Sequence, residues 1–69
     1  MTETDIVYDD LPASVKQRFE ALTQYEGWKR DDVDMLERKG MEKVYVIEIE
    51  KGKEELDLYF DVNGNLLKE

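Results

Sequence analysis

Residues 44–60, VYVIEIEKGKEELDLYF, decide the fold, because they have the alternating pattern of a β-hairpin. Gly52 and Lys53 at the centre of the turn put glycine first, as a type II′ turn requires. Three apolar pairs then share one face: Tyr45 with Phe60, Ile47 with Leu58, and Ile49 with Leu56. The other face pairs Val46 with Tyr59, Glu48 with Asp57 and Glu50 with Glu55. A shift of one residue would turn the apolar set toward water, so the pattern predicts its own register.

Upstream of the hairpin, residues 11–25 have the pattern of the only helix. Leu11, Val15, Phe19 and Leu22 recur at helical spacing and form one apolar stripe. Pro12 suits a first helical turn, and Gly27 offers the left-handed residue that ends many helices.

Three further segments complete the predicted fold. Residues 28–38 favour a strand in which Val33 and Met35 point inward, while Leu36 points outward or marks a bulge. Asn63-Gly64 predicts a type I′ turn with positive φ at both residues, and that turn places Leu67 opposite Phe60. We expect residues 1–10 to be a mobile, acidic segment in which residues 6–8 either add an edge strand or lie over the core.

The pattern therefore predicts an α+β domain over residues 11–69. One N-terminal helix packs on one face of a three- to four-stranded antiparallel meander, and the other sheet face stays bare.

Composition excludes several kinds of function. Cysteine and histidine are absent, which argues against a zinc site and excludes a His-based catalytic triad. A net charge of −8 disfavours binding to nucleic acid or to an anionic membrane. No apolar run is long enough to insert into a membrane, and no secretory leader opens the chain.

The carboxylates do not predict an enzyme or a metal site. Glu48 and Asp57 face each other on a flat sheet face, whereas an acid–base pair of the glycosidase type needs a cleft. Asp61, Asn63 and Asn65 superficially resemble a calcium loop, but Gly64 does not hold the EF-hand position and a hairpin turn explains them. We expect no cofactor and no catalysis.

The bare sheet face is a candidate partner-binding surface. Apolar residues at its centre are surrounded by acids (Asp32, Asp34, Glu48, Asp57 and Asp61), as in many protein interfaces. The residues predicted to bind a partner are Val44, Val46, Tyr59, Leu36, Glu48 and Asp57, with Leu66 nearby. The alternative is that these are the scattered apolar residues of any sheet surface.

Several motifs together resemble the PepSY-like family. They are Leu11-Pro12 at the helix start, Trp28 after the helix, VYVIE at residues 44–48 and LYFDVNGNL at residues 58–66. That family is similar in fold to one half of the β-lactamase inhibitory protein, whose open sheet face contacts its target enzyme. This chain has one such unit where the inhibitor has two.

The resemblance implies a non-enzymatic domain of bacterial envelope or secreted proteins. The expected location is periplasmic or secreted if a leader was removed, and otherwise cytoplasmic. The expected function is protein binding, including inhibition of a protease or other hydrolase. The alternative is a structural domain that forms a homodimer through the same face or a sheet edge, which would add burial to a small core.

Overall fold

The computed structural model describes residues 2–68 and shows an α+β domain with one α-helix and a five-stranded antiparallel sheet. The strands follow each other in the sheet in chain order. The elements are β1 (Thr2–Asp5), α1 (Ala13–Glu20), β2 (Lys29–Glu37), β3 (Val44–Lys51), β4 (Glu54–Phe60) and β5 (Leu66–Lys68). Short 3₁₀ turns at Tyr8–Asp10 and Thr23–Tyr25 lie on either side of α1.

The register of the central hairpin is confirmed at every predicted pair. Tyr45 lies opposite Phe60, and the pairing runs without a bulge to Lys51 opposite Glu54. Gly52 has φ of +61°, and no other residue type among the described residues has positive φ. The turn therefore needs glycine at its first central position, as the sequence indicated.

The helix is shorter than predicted. Pro12 has extended backbone angles (φ −55°, ψ 146°) and stands just before α1, and the helix ends at Glu20. The apolar stripe nevertheless has its predicted role, because Leu11 and Val15 are buried in the core. Phe19 and Leu22 pack against the same core although Leu22 lies beyond the helix.

The prediction of three to four strands is wrong, because Thr2–Asp5 forms a fifth. This strand, β1, pairs antiparallel with β2, from Thr2 opposite Glu37 to Asp5 opposite Asp34. It contains no apolar residue, so only backbone pairing along an exposed edge marks it. Ile6 donates its N–H to the carbonyl oxygen of Val33 at 3.0 Å and packs against the core. Mobility of the N-terminal segment stays a prediction.

Strand β2 contains a bulge, but not at Leu36. The register between β2 and β3 shifts between Arg30 and Val33, so Asp31 and Asp32 together stand opposite the single residue Glu48. Leu36 pairs regularly with Val44 and points away from the core. Of the two readings offered by the sequence, the outward one is therefore the one observed.

The turn between β4 and β5 is not the predicted type I′ turn. Gly64 has φ of +84°, but Asn63 does not have positive φ. Asp61 organises a longer loop, since its Oδ1 accepts N–H groups of Asn63 and Asn65 at 2.9 Å each. The two strands consequently pair with Leu66 opposite Phe60, and the placement of Leu67 there is wrong.

The start of α1 is bound directly to this loop. Ser14 donates its Oγ hydrogen to the carbonyl oxygen of Val62 at 2.8 Å. Gly64 packs so closely on Ser14 that an added Cβ would lie 2.5 Å from the Ser14 carbonyl oxygen. Helix and sheet thus enclose one core, formed by Leu11, Val15, Val33, Tyr45, Ile47, Ile49, Leu58 and Phe60.

Candidate protein-binding face

The face of the sheet opposite α1, called the open face here, is formed by alternate residues of all five strands. The register aligns Asp5, Asp34, Val46 and Tyr59 in one row across β1 to β4. The neighbouring row toward one end of the strands contains Glu3, Leu36 and Val44. The neighbouring row toward the other end contains Glu48 and Asp57.

One end of the open face carries a shallow apolar groove of about 230 Å³. Its apolar lining comes from four different segments, namely Leu36 of β2, Val44 of β3, Tyr59 of β4 and Leu67 of β5. Arg38 and Glu42 of the β2–β3 connection close one side. This set is called the apolar groove below.

The residues of the groove differ from the predicted patch at two positions. Val46 is only 7% exposed, so it is part of the sheet interior and not an accessible contact. Its neighbours in the row, Asp34 and Tyr59, leave it little surface. Leu66 packs on the core, and Leu67 is 54% exposed in its place. The register between β4 and β5 shifts at this point, because Phe60 pairs with Leu66 while Tyr59 pairs with Lys68, so Leu67 is the extra residue of a bulge.

The remaining predicted residues lie on the open face. Leu36, Val44 and Tyr59 are half-buried and line the groove. Glu48 and Asp57 lie directly opposite each other, as the register predicted. Sequence reasoning missed Leu67, the groove residues Arg38 and Glu42, and the two carboxylates that β1 brings to the face. The Thr-Glu-Thr-Asp alternation of β1 was the signal for those carboxylates.

Next to the groove, β1 and β2 bring several carboxylates together. Asp34 shares a hydrogen bond with the carboxyl group of Asp5, and this bond, followed by burial, raises the pKa of Asp34 to about 6. Negative charge on Glu3 and Asp32 contributes in the same direction. Within residues 2–68, no donor reaches Oδ1 of Asp34, which is buried. The ionised form of Asp34 is therefore destabilised where it lies.

A second carboxylate group surrounds Glu48. Burial raises the pKa of Glu48, and negative charge on Asp57, Asp31 and Asp32 adds to the effect. Oxygens of Asp31, Asp32 and Glu48 lie within 4.8 Å of one another, which is close enough to share one cation. Both aspartates are exposed at the β2 bulge, where water solvates them. The carboxylates of the open face and of the bulge are together called the acidic zone: Glu3, Asp5, Asp31, Asp32, Asp34, Glu48 and Asp57.

Two other polar clusters have structural roles. Tyr8 donates its hydroxyl hydrogen to Glu20 at 2.7 Å, and the Arg30 guanidinium lies 3.7 Å from the Tyr8 ring centroid. Burial and the Glu20 carboxylate raise the pKa of Tyr8 to about 12. These contacts fasten the N-terminal segment to α1 and β2.

The loop that superficially resembles a calcium site holds its own hydrogen bonds. Asp61 accepts the Asn65 side-chain N–H at 3.0 Å on Oδ2, in addition to two backbone N–H groups on Oδ1. The Asn65 bonds, first among several, lower the pKa of Asp61. Internal donors thus use the oxygens that a calcium ion would need.

The sequence of the chain matches one protein family. The model of the beta-lactamase-inhibitor-like, PepSY-like family matches residues 1–68. The chain belongs to the PepSY-like family. The match includes β1, so this strand lies inside the PepSY-like region. No curated protein matches the chain. Among the described residues, no helix has the length and apolar character needed to cross a membrane.

Proposed function

We propose that this PepSY-like domain is a non-enzymatic protein-binding module that engages its partner through the open face. The observation that carries the proposal is the apolar groove on the sheet face opposite α1, which is not covered by a helix in residues 2–68. An accessible apolar set that includes an aromatic residue, Tyr59, next to charged residues is the usual composition of an interface.

The family supports a more specific form of this proposal. Its description as beta-lactamase-inhibitor-like favours inhibition of a hydrolase as the outcome of binding. The chain offers no cysteine nucleophile and no histidine that could activate a hydroxyl nucleophile, because it contains neither residue. A bacterial envelope or secreted location agrees with such a function.

Self-association through the open face is the weaker candidate. Two copies joined face to face would bring two acidic zones together, and like charges at close range oppose association. A dimer would also have to offset the net charge of −8 that each copy carries. The negative charge of the open face therefore favours a partner whose contacting surface is not acidic.

Affinity capture with matched variants tests the proposal. The double variant Val44→Lys/Tyr59→Lys places two cations in the groove. The control, called the helix-side variant, is Gln17→Lys/Gln24→Lys, which places two cations at exposed positions of α1 and of the 3₁₀ turn that follows it. Bacterial envelope extract is passed over each protein, bound proteins are identified by mass spectrometry, and the purified candidate is titrated in solution. Its hydrolase activity is measured with and without the domain.

We expect the groove variant to lose the purified partner and the helix-side variant to keep it. Circular dichroism confirms that both variants are folded. A partner that binds the groove variant as tightly as the unmodified domain would contradict the proposal. Light scattering at increasing concentration detects a dimer, and a dimer dispersed by the groove substitutions would favour the self-association candidate.

A further inference from the structure

The open face has two parts of different chemistry, and the strand register fixes their separation. Leu36 lies in the apolar groove, and Asp34 lies in the acidic zone two residues earlier on the same strand. On β3, Val44 of the groove and Glu48 of the acidic zone are separated by the buried Val46. Residues two apart on a strand are about 7 Å apart. A ligand that contacts the groove at Leu36 is therefore within one side-chain length of Asp34, whereas Glu48 lies four residues, or about 13 Å, from Val44 along β3.

The charged neighbours that raise the pKa values of Asp34 and Glu48 are acids, and no salt bridge among the described side chains reaches the acidic zone. The ion pair that the described residues show joins Lys16 to Asp9, which both lie outside the zone. The environments of Asp34 and Glu48 disfavour their charged forms, as the raised pKa values show. A cation that arrives with a ligand would remove this repulsion, so the zone gains more from a cationic ligand than isolated surface carboxylates do.

The negative charge of the acidic zone limits which ligands the neighbouring apolar groove could bind. Nucleic acid, an anionic membrane and a second copy of this chain all carry negative charge toward the acidic zone. A protein segment can present an apolar side chain and a cationic one together. In an extended segment, side chains on one face recur every second residue. This spacing matches the two-residue separation of Leu36 in the groove and Asp34 in the acidic zone.

We propose that the open face binds an extended segment of a partner protein in which an apolar residue and a Lys or Arg stand two positions apart. The apolar side chain enters the apolar groove beside Leu36, and the cation lies over Asp34, on the side of the sheet that leads to Glu48. This inference rests on the proposed function and names the chemistry of the partner at the same face.

Binding of such a segment depends on pH in a defined direction. The cation binds the ionised carboxylates, so protonation of Asp34 competes with it. The groups facing Asp34 are Glu3 and Asp5 from β1 and Asp32 from β2, all of which are acids. We expect affinity to increase as the pH rises through about 6 and to decrease with added salt.

Peptide display on the unmodified domain tests the inference without a known partner. A library of random peptides of about 12 residues (long enough to run the length of a strand at about 3.3 Å per residue) is selected on the immobilised domain. Synthetic copies of the selected peptides are then titrated by fluorescence anisotropy. The proteins compared are the unmodified domain, the groove variant Val44→Lys/Tyr59→Lys, the helix-side variant Gln17→Lys/Gln24→Lys, and the neutralised variant Asp34→Asn/Glu48→Gln.

The expected peptides carry an apolar residue two positions from Lys or Arg and bind the helix-side variant normally. The groove variant should lose them, and the neutralised variant should bind them about 5- to 30-fold more weakly, for two charge contacts of about 0.5–1 kcal/mol each. Because Asp34→Asn and Glu48→Gln remove repulsion, the neutralised variant should remain folded. The pH series on the unmodified domain tests the same point with no substitution.

Two results would overturn the inference in different ways. Peptides that need the groove but show no enrichment of Lys or Arg, and bind the neutralised variant equally well, would leave the proposed function standing and remove the cationic partner. A failure to select any peptide that depends on the groove would count against both. Self-association lost only in the groove variant would identify a second copy as the occupant and also overturn the inference.

Discussion

The contact between Gly64 and the start of α1 makes a sharp prediction about stability. Replacing Gly64 by Ala places a Cβ at 2.5 Å from the carbonyl oxygen of Ser14 and 2.8 Å from its carbonyl carbon. Both atoms belong to backbone, so the helix or the loop must move. Overpacking of this kind costs about 1–3 kcal/mol, and a non-glycine residue at φ of +84° adds about 1–2 kcal/mol.

Gly27→Ala is the matched control. Gly27 has almost the same backbone angle, φ +88°, but an added Cβ meets nothing within 4 Å. We therefore expect a loss of about 1–2 kcal/mol in the free energy of unfolding for Gly27→Ala and about 2–5 kcal/mol for Gly64→Ala. For a domain of 69 residues, 1 kcal/mol corresponds to a decrease of about 4–8 °C in Tm.

Urea unfolding followed by circular dichroism, with thermal melts as a second measurement, gives both free energies. A Gly64→Ala variant too unstable to fold would agree with the account, since small domains of this length have only about 3–10 kcal/mol of stability. Equal losses for the two variants would refute the reasoning, because they would show that α1 does not pack on the β4–β5 loop as described.

Three further predictions concern polar groups. Ser14→Ala should lower the free energy of unfolding by about 1 kcal/mol, because the Val62 carbonyl loses its donor; an unchanged urea midpoint would contradict this. The pKa of Asp34 is raised from 3.8 to about 6 by folding, so stability should increase as pH falls from about 7 to 4. Asp34→Asn should accordingly raise the stability at pH 7 by about 1 kcal/mol and have less effect at pH 4, whereas an equal effect at both would contradict the prediction. Asp61→Ala should destabilise the domain at neutral pH and lose its effect in strong acid, because folding lowers the pKa of Asp61; thermal melts across pH that show a constant effect would argue against the loop described.

The central hairpin could be predicted completely because its two strands alternate and its turn has one glycine in the position that fixes the register. The same reasoning failed for β5. Asn63-Gly64 has a local preference for a two-residue turn, but Asp61 accepts two backbone N–H groups and favours a longer loop. Local turn preference therefore lost to side-chain capping, and Leu66 and Leu67 exchanged faces.

The predictions of the helix boundaries and of the N-terminal segment were wrong for different reasons. The apolar stripe of residues 11–22 continues beyond α1, because a turn that leaves the helix still brings Leu22 to the core. Periodicity thus identified the buried residues better than the helix boundaries. Strand β1 has no buried side chain and is held by backbone pairing with β2. A search for apolar patterns therefore does not detect it.

The sequence predicted on which sheet face the candidate residues lie, but not how their side chains are surrounded. The register alone placed Val44, Tyr59 and Glu48 on the open face. It could not show that Val46 is enclosed by its row neighbours, nor that β1 adds carboxylates beside Asp34. Both depend on how strands outside the hairpin pack.

The family motif at residues 60–66 also has a physical explanation in this structure. Phe60 and Leu66 face each other on the core side, Asp61 caps the loop, and Gly64 permits the close approach of α1. These roles stabilise the fold and involve none of the residues of the open face. The motif therefore identifies the PepSY-like domain without naming its partner.

Mapping a bound peptide by NMR tests the central claim most directly. The tightest peptide from the display selection is added to isotope-labelled domain, and amide chemical shifts are followed through the titration. The account predicts that the largest changes occur at Asp34, Leu36, Val44, Glu48 and Tyr59, with little change along α1. Changes concentrated on Ala13–Glu20, with the open face unaffected, would contradict it.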